Sequence, residues 1–284
     1  MKYLILILAL TLFTRGLSSA AALGETKSTA KLPAKDQVKI YLLLGQSNMA
    51  GRGVPEKEDL ATHPRVFVFN LSNQWELAAE PLTLGEKGKT PGVGPGLAFG
   101  KAMADANPKV TIGLVPCAVG GTPLRRWVRG ADLYSNAVAR AQAAATAGTI
   151  SGILWHQGEG DAGSKKNADS YGERLAKMIA DIRVDLNAPN LPFVVGQIGE
   201  FNYEREGNPL PFAREINEAL VKISQTVPQT GCALSKGLTH KGDQVHFNSE
   251  AERELGRRYA SEMMKLEKSP RQKRAESERK LLQK

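Results

Sequence analysis

The sequence predicts a single three-layer α/β domain built on a five-stranded, mostly parallel sheet. Three observations lead to this fold class. Short apolar runs recur along the chain, each bounded by Gly or Pro. Amphipathic helical patterns separate several of these runs, and no linker divides the body of the chain. Strands that alternate with helices form βαβ units, whose parallel sheet is covered by helices on both faces.

Five apolar runs are predicted to be buried strands because they mostly lack the alternation of a half-exposed strand. They are Val38–Leu44, Val110–Val115, Gly152–Trp155, Pro192–Ile198 and Cys232–Leu234. Arg65–Asn70 is a sixth candidate, which we place at an edge of the sheet or in an excursion from it. The stretch 83–96 is rich in Gly, Lys and Pro and predicts one long loop.

Three helices are predicted from apolar residues that recur three and four positions apart. They span residues 168–187, 212–226 and 249–264. Asn248 or Ser249 is expected to cap the last helix, because both side chains can accept a hydrogen bond from the first turn. Glu250 and Glu252 in that turn favour the same start.

The first two dozen residues have the composition of a secretory signal peptide. Lys2 is followed by eleven mainly apolar residues, Tyr3–Phe13, and then by small residues as far as Ala22. The apolar run is too short for a membrane-spanning helix, which needs about 20 residues. We therefore expect residues 1–22 to be removed on export, to the periplasm or outside the cell. An uncleaved anchor is the alternative.

The net charge of +9 is concentrated at the two ends of the chain. Residues 265–284 contain eight Lys or Arg and three Glu, and the leader contributes Lys2 and Arg15. The body between them is therefore close to neutral, at about +2. This balance argues against a nucleic-acid partner, and it predicts that residues 269–284 form a solvated basic tail.

The cysteine content leaves two states open. Cys117 and Cys232 are the only cysteines. An exported protein could pair them, but the sequence does not fix the distance between their Cα atoms. No Cys/His spacing predicts a metal site, and no cofactor is expected.

Ligands of such sheets bind beyond the carboxyl ends of the strands, so the residues after each apolar run are the candidates for chemistry. The first run is followed by Gly45-Gln46-Ser47-Asn48-Met49-Ala50-Gly51. A serine on this tight junction can expose its hydroxyl, and its own N–H can donate to an oxyanion. Taken alone, a serine after a strand is more often a helix cap or a turn residue.

A histidine near the carboxyl end of the body can serve as the base. It lies in Asp243-Gln244-Val245-His246-Phe247. Its imidazole titrates near neutral pH and can move a proton, provided that a carboxylate holds one tautomer. Asp243, three residues earlier, can reach back to do so. A surface turn with an incidental histidine is the alternative.

Two further strand ends carry unusual residues. Gly120 and Gly121 end the second run and can bring a backbone N–H close to a ligand, or they form a plain turn. The third run ends in Trp155-His156-Gln157-Gly158-Glu159-Gly160-Asp161. Gln157 can donate to developing negative charge. A metal site of His156, Glu159 and Asp161 is the alternative, although it lacks a second histidine.

Together, these motifs in this order resemble the SGNH-hydrolase superfamily. Within it, the pairing of Gly-Gln-Ser-Asn-Met at 45–49 with His-Gln-Gly-Glu at 156–159 is most similar to the sialate O-acetylesterase-like group. That group includes acetylxylan esterases of carbohydrate esterase family 6. The resemblance spans residues 38 to about 262 and implies a flavodoxin-like sheet of five parallel strands.

The resemblance implies a secreted serine esterase that removes O-acetyl groups from a carbohydrate. Ser47 matches the nucleophile, His246 the base and Asp243 the carboxylate that orients it. The N–H groups of Ser47 and Gly120 and the side chain of Gln157 match the oxyanion donors. Glu159 matches a recurrent acidic residue that supports the histidine or its loop.

The predicted organisation is a signal peptide at 1–22, an esterase domain at 23–268 and a basic tail at 269–284. Arg125 and Trp127 are candidates for contact with the sugar of the substrate, which the sequence leaves as an acetylated polysaccharide or an O-acetylated sialic acid. Two rivals stay open: a catalytically silent carbohydrate-binding protein on the same fold, and an α/β-hydrolase, whose nucleophile motif has Gly where this chain has Met49.

Overall fold

The computed structural model describes residues 31–83, 91–203, 207 and 209–268. The predicted signal peptide and basic tail lie outside these residues. The strands in the described part are β1 (Val38–Gly45), β2 (Val66–Phe69), β3 (Trp75–Leu77), β4 (Thr111–Pro116), β5 (Thr149–His156), β6 (Phe193–Gly196) and β7 (Thr230–Ala233). The helices are α1 (Ser47–Ala50), α2 (Pro95–Ala106), α3 (Asp132–Ala144), α4 (Lys165–Asp169), α5 (Tyr171–Asp185), α6 (Ala213–Thr226) and α7 (Ser249–Glu267).

The strands form one sheet in the order β3-β2-β4-β1-β5-β6-β7. All neighbours are parallel except β3, which runs antiparallel to β2. Strands β2 to β4, which follow β1 in the chain, lie on one side of this central strand, and β5 to β7 lie on the other. The strand order therefore reverses at β1, and a crevice for ligands is expected at its carboxyl end.

The mostly parallel α/β fold is confirmed, but the described sheet has seven strands rather than five. The five predicted strands correspond to β1, β4, β5, β6 and β7. The sixth candidate does form a strand, β2, although it is not at the edge. Its four residues are buried, and the short strand β3 pairs with its outer side.

Helices cover both faces of the sheet, and β1 shows how the sequence supports this. Ile40, Leu42 and Leu44 face one apolar cluster, whereas Tyr41 and Leu43 face the other. Successive side chains of a strand point to opposite faces, so a continuous apolar run provides both cores. Helices α3, α5 and α6 pack on the first face, and α2 and α7 pack on the second.

The helices differ from the predicted ones in several places. The predicted helix 168–187 is divided at Ser170 into α4 and α5. Helices α1, α2 and α3 were not predicted, and α2 takes up the last two residues of the predicted loop 83–96. The cap of α7 is confirmed, because Asn248 Oδ1 accepts from the N–H of Ala251 at 2.8 Å. No helix among the described residues is long and apolar enough to cross a membrane.

Cys117 and Cys232 do not form a disulfide. Cys117 directly follows β4, whereas Cys232 lies in β7, four strand positions away. At a spacing of about 4.8 Å per strand, this places them roughly 19 Å apart. Bridged Cα atoms lie closer than about 7 Å, so both thiols are free.

Candidate active site

Ser47 stands at the carboxyl end of the central strand because the chain turns sharply there. Gly45 ends β1 with a φ of +133°, and a Cβ at this position would lie 2.1 Å from the carbonyl oxygen of His156. Only glycine fits this approach. The chain then enters α1, of which Ser47 is the first residue, so its N–H has no acceptor within the helix.

Ser47, His246 and Asp243 form a continuous hydrogen-bonded chain. His246 Nε2 lies 3.0 Å from Ser47 Oγ, and His246 Nδ1 lies 2.8 Å from Asp243 Oδ2. Asp243 Oδ1 also accepts from the N–H groups of Val245 at 2.9 Å and His246 at 2.8 Å. A carboxylate only accepts, so Nδ1 carries the proton and Nε2 is left to receive the proton of the serine.

The charge state of the pair suits this role. Burial raises the pKa of Asp243, but hydrogen bonds from the backbone and ring of His246 and from Val245 outweigh it and bring the pKa to about 2. Burial lowers the pKa of His246 below its usual value; Lys241 and Arg52 act in the same direction, and Asp243 opposes them. At neutral pH, Asp243 is ionised and His246 is a neutral base.

The loop after β4 lies against the turn that carries the serine. The N–H of Val119 donates to the carbonyl of Gly45 at 3.0 Å, which fixes the position of the neighbouring Gly120. The N–H groups of Ser47 and Gly120 therefore belong to the same small region at the carboxyl ends of β1 and β4.

The side-chain amide of Gln157 is engaged by other protein groups. Its side chain is fully buried, and Nε2 donates to Thr122 O at 3.2 Å and to Asp161 Oδ2 at 2.9 Å. It also lies 3.2 Å from Gln46 Oε1, while Gln157 Oε1 accepts from the Tyr171 hydroxyl at 2.9 Å. Because protein acceptors already bind its amide nitrogen, we do not carry Gln157 forward as the oxyanion donor.

Gln46 is a candidate that the sequence reasoning did not consider. Its Oε1 accepts from the N–H of Gly160 at 3.1 Å and from Gln157, which fixes the orientation of its amide group. Within the part of the chain that the structure describes, Gln46 Nε2 has no protein acceptor. The only signal in the sequence was its position directly before the serine, which does not by itself define where an amide points.

A match to a family model and a match to one relative identify the family of this chain. The model of the carbohydrate esterase family of sialic acid-specific acetylesterases matches residues 37–265. The chain belongs to this family. A probable carbohydrate esterase of Arabidopsis thaliana is 36% identical over 251 residues, which cover 82% of this chain and 92% of the relative. A solved structure from Arabidopsis thaliana has a TM-score of 0.71 at 34% identity and covers 80% of this chain and 98% of its own.

Two more distant structures share the fold. The structure of NanS has a TM-score of 0.66 at 19% identity, covering 82% of this chain and 98% of its own. A carbohydrate acetylesterase from Xanthomonas citri has a TM-score of 0.59 at 23% identity, covering 80% of this chain and 56% of its own. The fold is that of the SGNH hydrolases, and the protein is a carboxylic ester hydrolase of the carbohydrate acetylesterase type.

In this esterase, Glu159 contacts the serine side of the site and not His246 itself. Its side chain is 6% exposed, and Oε1 accepts from Asn48 Nδ2 at 2.8 Å. Burial raises the pKa of Glu159 to about 7, although its own N–H, Asn48 and the N–H of Gly158 oppose the shift. A buried carboxyl group whose pKa is raised in this way is a candidate for a functional role.

The two predicted sugar contacts of the esterase lie in different environments. Arg125 is exposed on the segment that follows the Gly120 loop, where it is open to solvent. Trp127 is only 1% exposed, donates from Nε1 to Thr122 Oγ1 at 3.1 Å and packs edge-on against Trp155. The prediction of a substrate contact at Trp127 is wrong, because its ring is part of the core.

The alternative metal site in the 156–161 segment is not assembled. Burial lowers the pKa of His156 to about 3, and its Nδ1 lies 3.1 Å from the Tyr259 hydroxyl. Asp161 instead accepts from Arg174 at 3.0 Å and from the N–H of Leu124 at 2.7 Å. No group of three or more His, Cys, Asp or Glu among the described residues could hold a metal ion.

Proposed function

We propose that this carbohydrate esterase removes O-acetyl groups by a two-step serine mechanism. The observation that carries the proposal is the hydrogen-bonded chain from Asp243 through His246 to Ser47, with distances of 2.8 and 3.0 Å. His246 accepts the proton of Ser47 as Oγ attacks the ester carbonyl. The C–O bond to the sugar then breaks, and His246 protonates the departing hydroxyl. Water, activated by the same histidine, releases acetate from the acetyl-enzyme.

The negative charge of each tetrahedral intermediate is stabilised by donors at the carboxyl ends of β1 and β4. We assign this role to the N–H groups of Ser47 and Gly120 and to Nε2 of Gln46, which replaces the predicted Gln157. Gln46 is supported by the two hydrogen bonds that hold its Oε1, which leave Nε2 without a protein acceptor among the described residues. A preorganised donor stabilises the oxyanion strongly because it needs no reorganisation during the reaction.

The proposed substrate is an acetylated polysaccharide or an O-acetylated sialic acid. The surroundings of the site are polar. Lys241 and Arg52 are close enough to lower the pKa of His246, and Arg125 is exposed on the segment that follows Gly120. We further propose that residues 1–22 direct export to the periplasm or the exterior, that 23–268 form the esterase domain, and that 269–284 form a basic tail.

Acetate release tests the proposal. The purified protein and its Ser47→Ala variant are compared on acetylated xylan, O-acetylated sialic acid and p-nitrophenyl acetate. Loss of the nucleophile is expected to lower kcat by a factor on the order of 10⁶, since the triad acts as a unit. Release that the variant retains would reject the serine mechanism, and release from only one sugar ester would identify the substrate class.

The same preparation tests export. When the full-length chain is expressed, we expect the protein outside the cytoplasm to have lost about 20 residues from its N-terminus. An intact mass, or retention in the cytoplasm, would contradict the proposed leader.

A further inference from the structure

Asn48, the residue after the nucleophile, connects the two halves of the triad. Its side chain is completely buried. Asn48 Oδ1 accepts from the N–H of Phe247 at 3.2 Å, and Nδ2 donates to the carbonyl of Val245 at 3.3 Å. Val245 and Phe247 flank His246, so one amide group holds the backbone on both sides of the catalytic base.

Glu159 fixes the direction of this amide. Asn48 Nδ2 also donates to Glu159 Oε1 at 2.8 Å, the shortest of the three bonds. Phe247 supplies a donor, whereas Glu159 and Val245 supply acceptors, so only one of the two amide orientations satisfies all three partners. The second oxygen of Glu159 has no hydrogen-bond partner within the described residues, which leaves Asn48 as the side chain that donates to this buried carboxyl group.

We propose that Asn48, oriented by Glu159, is a positioning residue that sets the distance between His246 Nε2 and Ser47 Oγ. This inference rests on the serine mechanism proposed above. Asn48 shares α1 with Ser47, so any movement of the histidine loop relative to the nucleophile must break its bonds to Val245 or Phe247. The buried carboxyl group of Glu159 is costly to desolvate, and holding Asn48 gives it a role in catalysis.

The expected signature is a loss of turnover without a loss of binding. A displacement of about 1 Å between reacting groups can cost on the order of 100-fold in rate. We therefore expect Asn48→Ala to lower kcat about 10- to 100-fold and to change KM less than about threefold, because neither Asn48 nor Glu159 is placed to touch the sugar.

Two substitutions at Glu159 separate positioning from mere packing. Glu159→Gln retains an oxygen that can accept from Asn48, so its kcat should stay within about threefold of the wild type. Glu159→Leu removes the acceptor and should reproduce the loss of Asn48→Ala. The double variant Asn48→Ala/Glu159→Leu should lose no more than the more impaired single variant, because both act through the same contact.

Asn217 provides a matched control. It is a buried asparagine that likewise holds two backbone groups, with Oδ1 accepting from Ile198 N and Nδ2 donating to Ile198 O, both at 2.9 Å. Asn217→Ala should lower the Tm as much as Asn48→Ala but leave kcat unchanged.

The measurements are kcat, KM and Tm on p-nitrophenyl acetate and on the best acetylated sugar, for the full chain. An unchanged kcat in Asn48→Ala, or a kcat that falls with Tm equally in Asn217→Ala, would overturn the positioning role. If Asn48→Ala does not fold, the pair at Glu159 decides: equal activity of Glu159→Gln and Glu159→Leu would also overturn it. Activity that persists in Ser47→Ala is a different result, which rejects the serine mechanism itself and the positioning role with it.

Discussion

The proposed nucleophile, Ser47, and the proposed base, His246, are held in place by two regions of very different character. The turn at 45–51 is buried throughout and continues directly from the central strand. The histidine loop, residues 239–247, is largely exposed from Lys241 to Gln244. It is closed by backbone hydrogen bonds from Lys241 N–H to His246 O at 2.9 Å and from Asn248 N–H to Thr239 O at 3.1 Å.

This difference determines which of the two regions limits how precisely Ser47 and His246 are aligned. The core fixes the serine turn, so it can move only if the sheet is disturbed. The histidine loop has few buried contacts, and regions of this kind open locally at lower free energy than the core. Its alignment depends on the hydrogen bonds that Asp243 accepts within the loop and on the two that join the loop to Asn48, which explains why polar residues cluster at this junction.

The largest expected effects come from one substitution in the serine turn and one in the histidine loop. Gly45→Ala places a methyl group against the carbonyl of His156 and forces a positive φ on alanine, so we expect the free energy of unfolding to fall by about 4 kcal/mol or more. His246→Ala should change it by less than about 1 kcal/mol while lowering kcat by a factor on the order of 10⁶. Thermal denaturation and acetate release check the two variants.

The contrast fails if the two variants behave alike. A stable, active Gly45→Ala protein would mean that the turn tolerates movement. A large loss of stability in His246→Ala would mean that the loop is part of the folding core.

The next largest effect concerns Gln46, the proposed oxyanion donor in the buried serine turn. Gln46→Glu keeps an oxygen for the N–H of Gly160 but replaces the free amide nitrogen, so we expect kcat to fall about 10²- to 10³-fold with little change in KM. Gln46→Ala should give a loss of the same size. The rates are measured on the pH plateau, because the new carboxylate would raise the pKa of His246.

Gln157 supplies the comparison for this assignment. If Gln46→Glu retains full kcat while Gln157→Glu does not, the oxyanion donor is Gln157 after all, and its buried hydrogen bonds must rearrange when substrate binds.

Much of the fold could be predicted from the sequence, because parallel strands that are buried on both faces appear as continuous apolar runs. Strand β3 escaped notice because Trp75-Glu76-Leu77 is too short to show a pattern. Helix α2 contains Gly96 and Gly100, and its contact with α7 is so close that a Cβ on Gly256 would lie 2.4 Å from the carbonyl oxygen of Pro95. Small residues make such contacts possible, and for the same reason they leave no apolar stripe to recognise.

Part of the candidate site could likewise be predicted from the sequence, and part could not. Ser47, Asp243 and His246 follow from strand ends and from a three-residue spacing, which the sequence displays. The roles of Gln46 and Gln157 do not follow, because two glutamines near the same strand ends differ only in which atoms bind their amide groups. The contacts of Asn48 likewise join positions about 200 residues apart, a pairing that only the folded chain defines.

The smallest expected effect is electrostatic and lies on the exposed side. Burial lowers the pKa of His246, Asp243 opposes this shift, and Lys241 and Arg52 add to it. Protonated His246 cannot accept the serine proton, so kcat/KM should fall on the acid side with an apparent pKa below the usual 6.5. Lys241→Gln removes one positive charge and should move this limb to higher pH, a shift that added salt diminishes. Lys109→Gln, at the amino end of β4 and so at the opposite end of the parallel strands, should leave the limb in place. An equal shift in both variants would mean that net charge, and not the loop around His246, sets the pKa of the base.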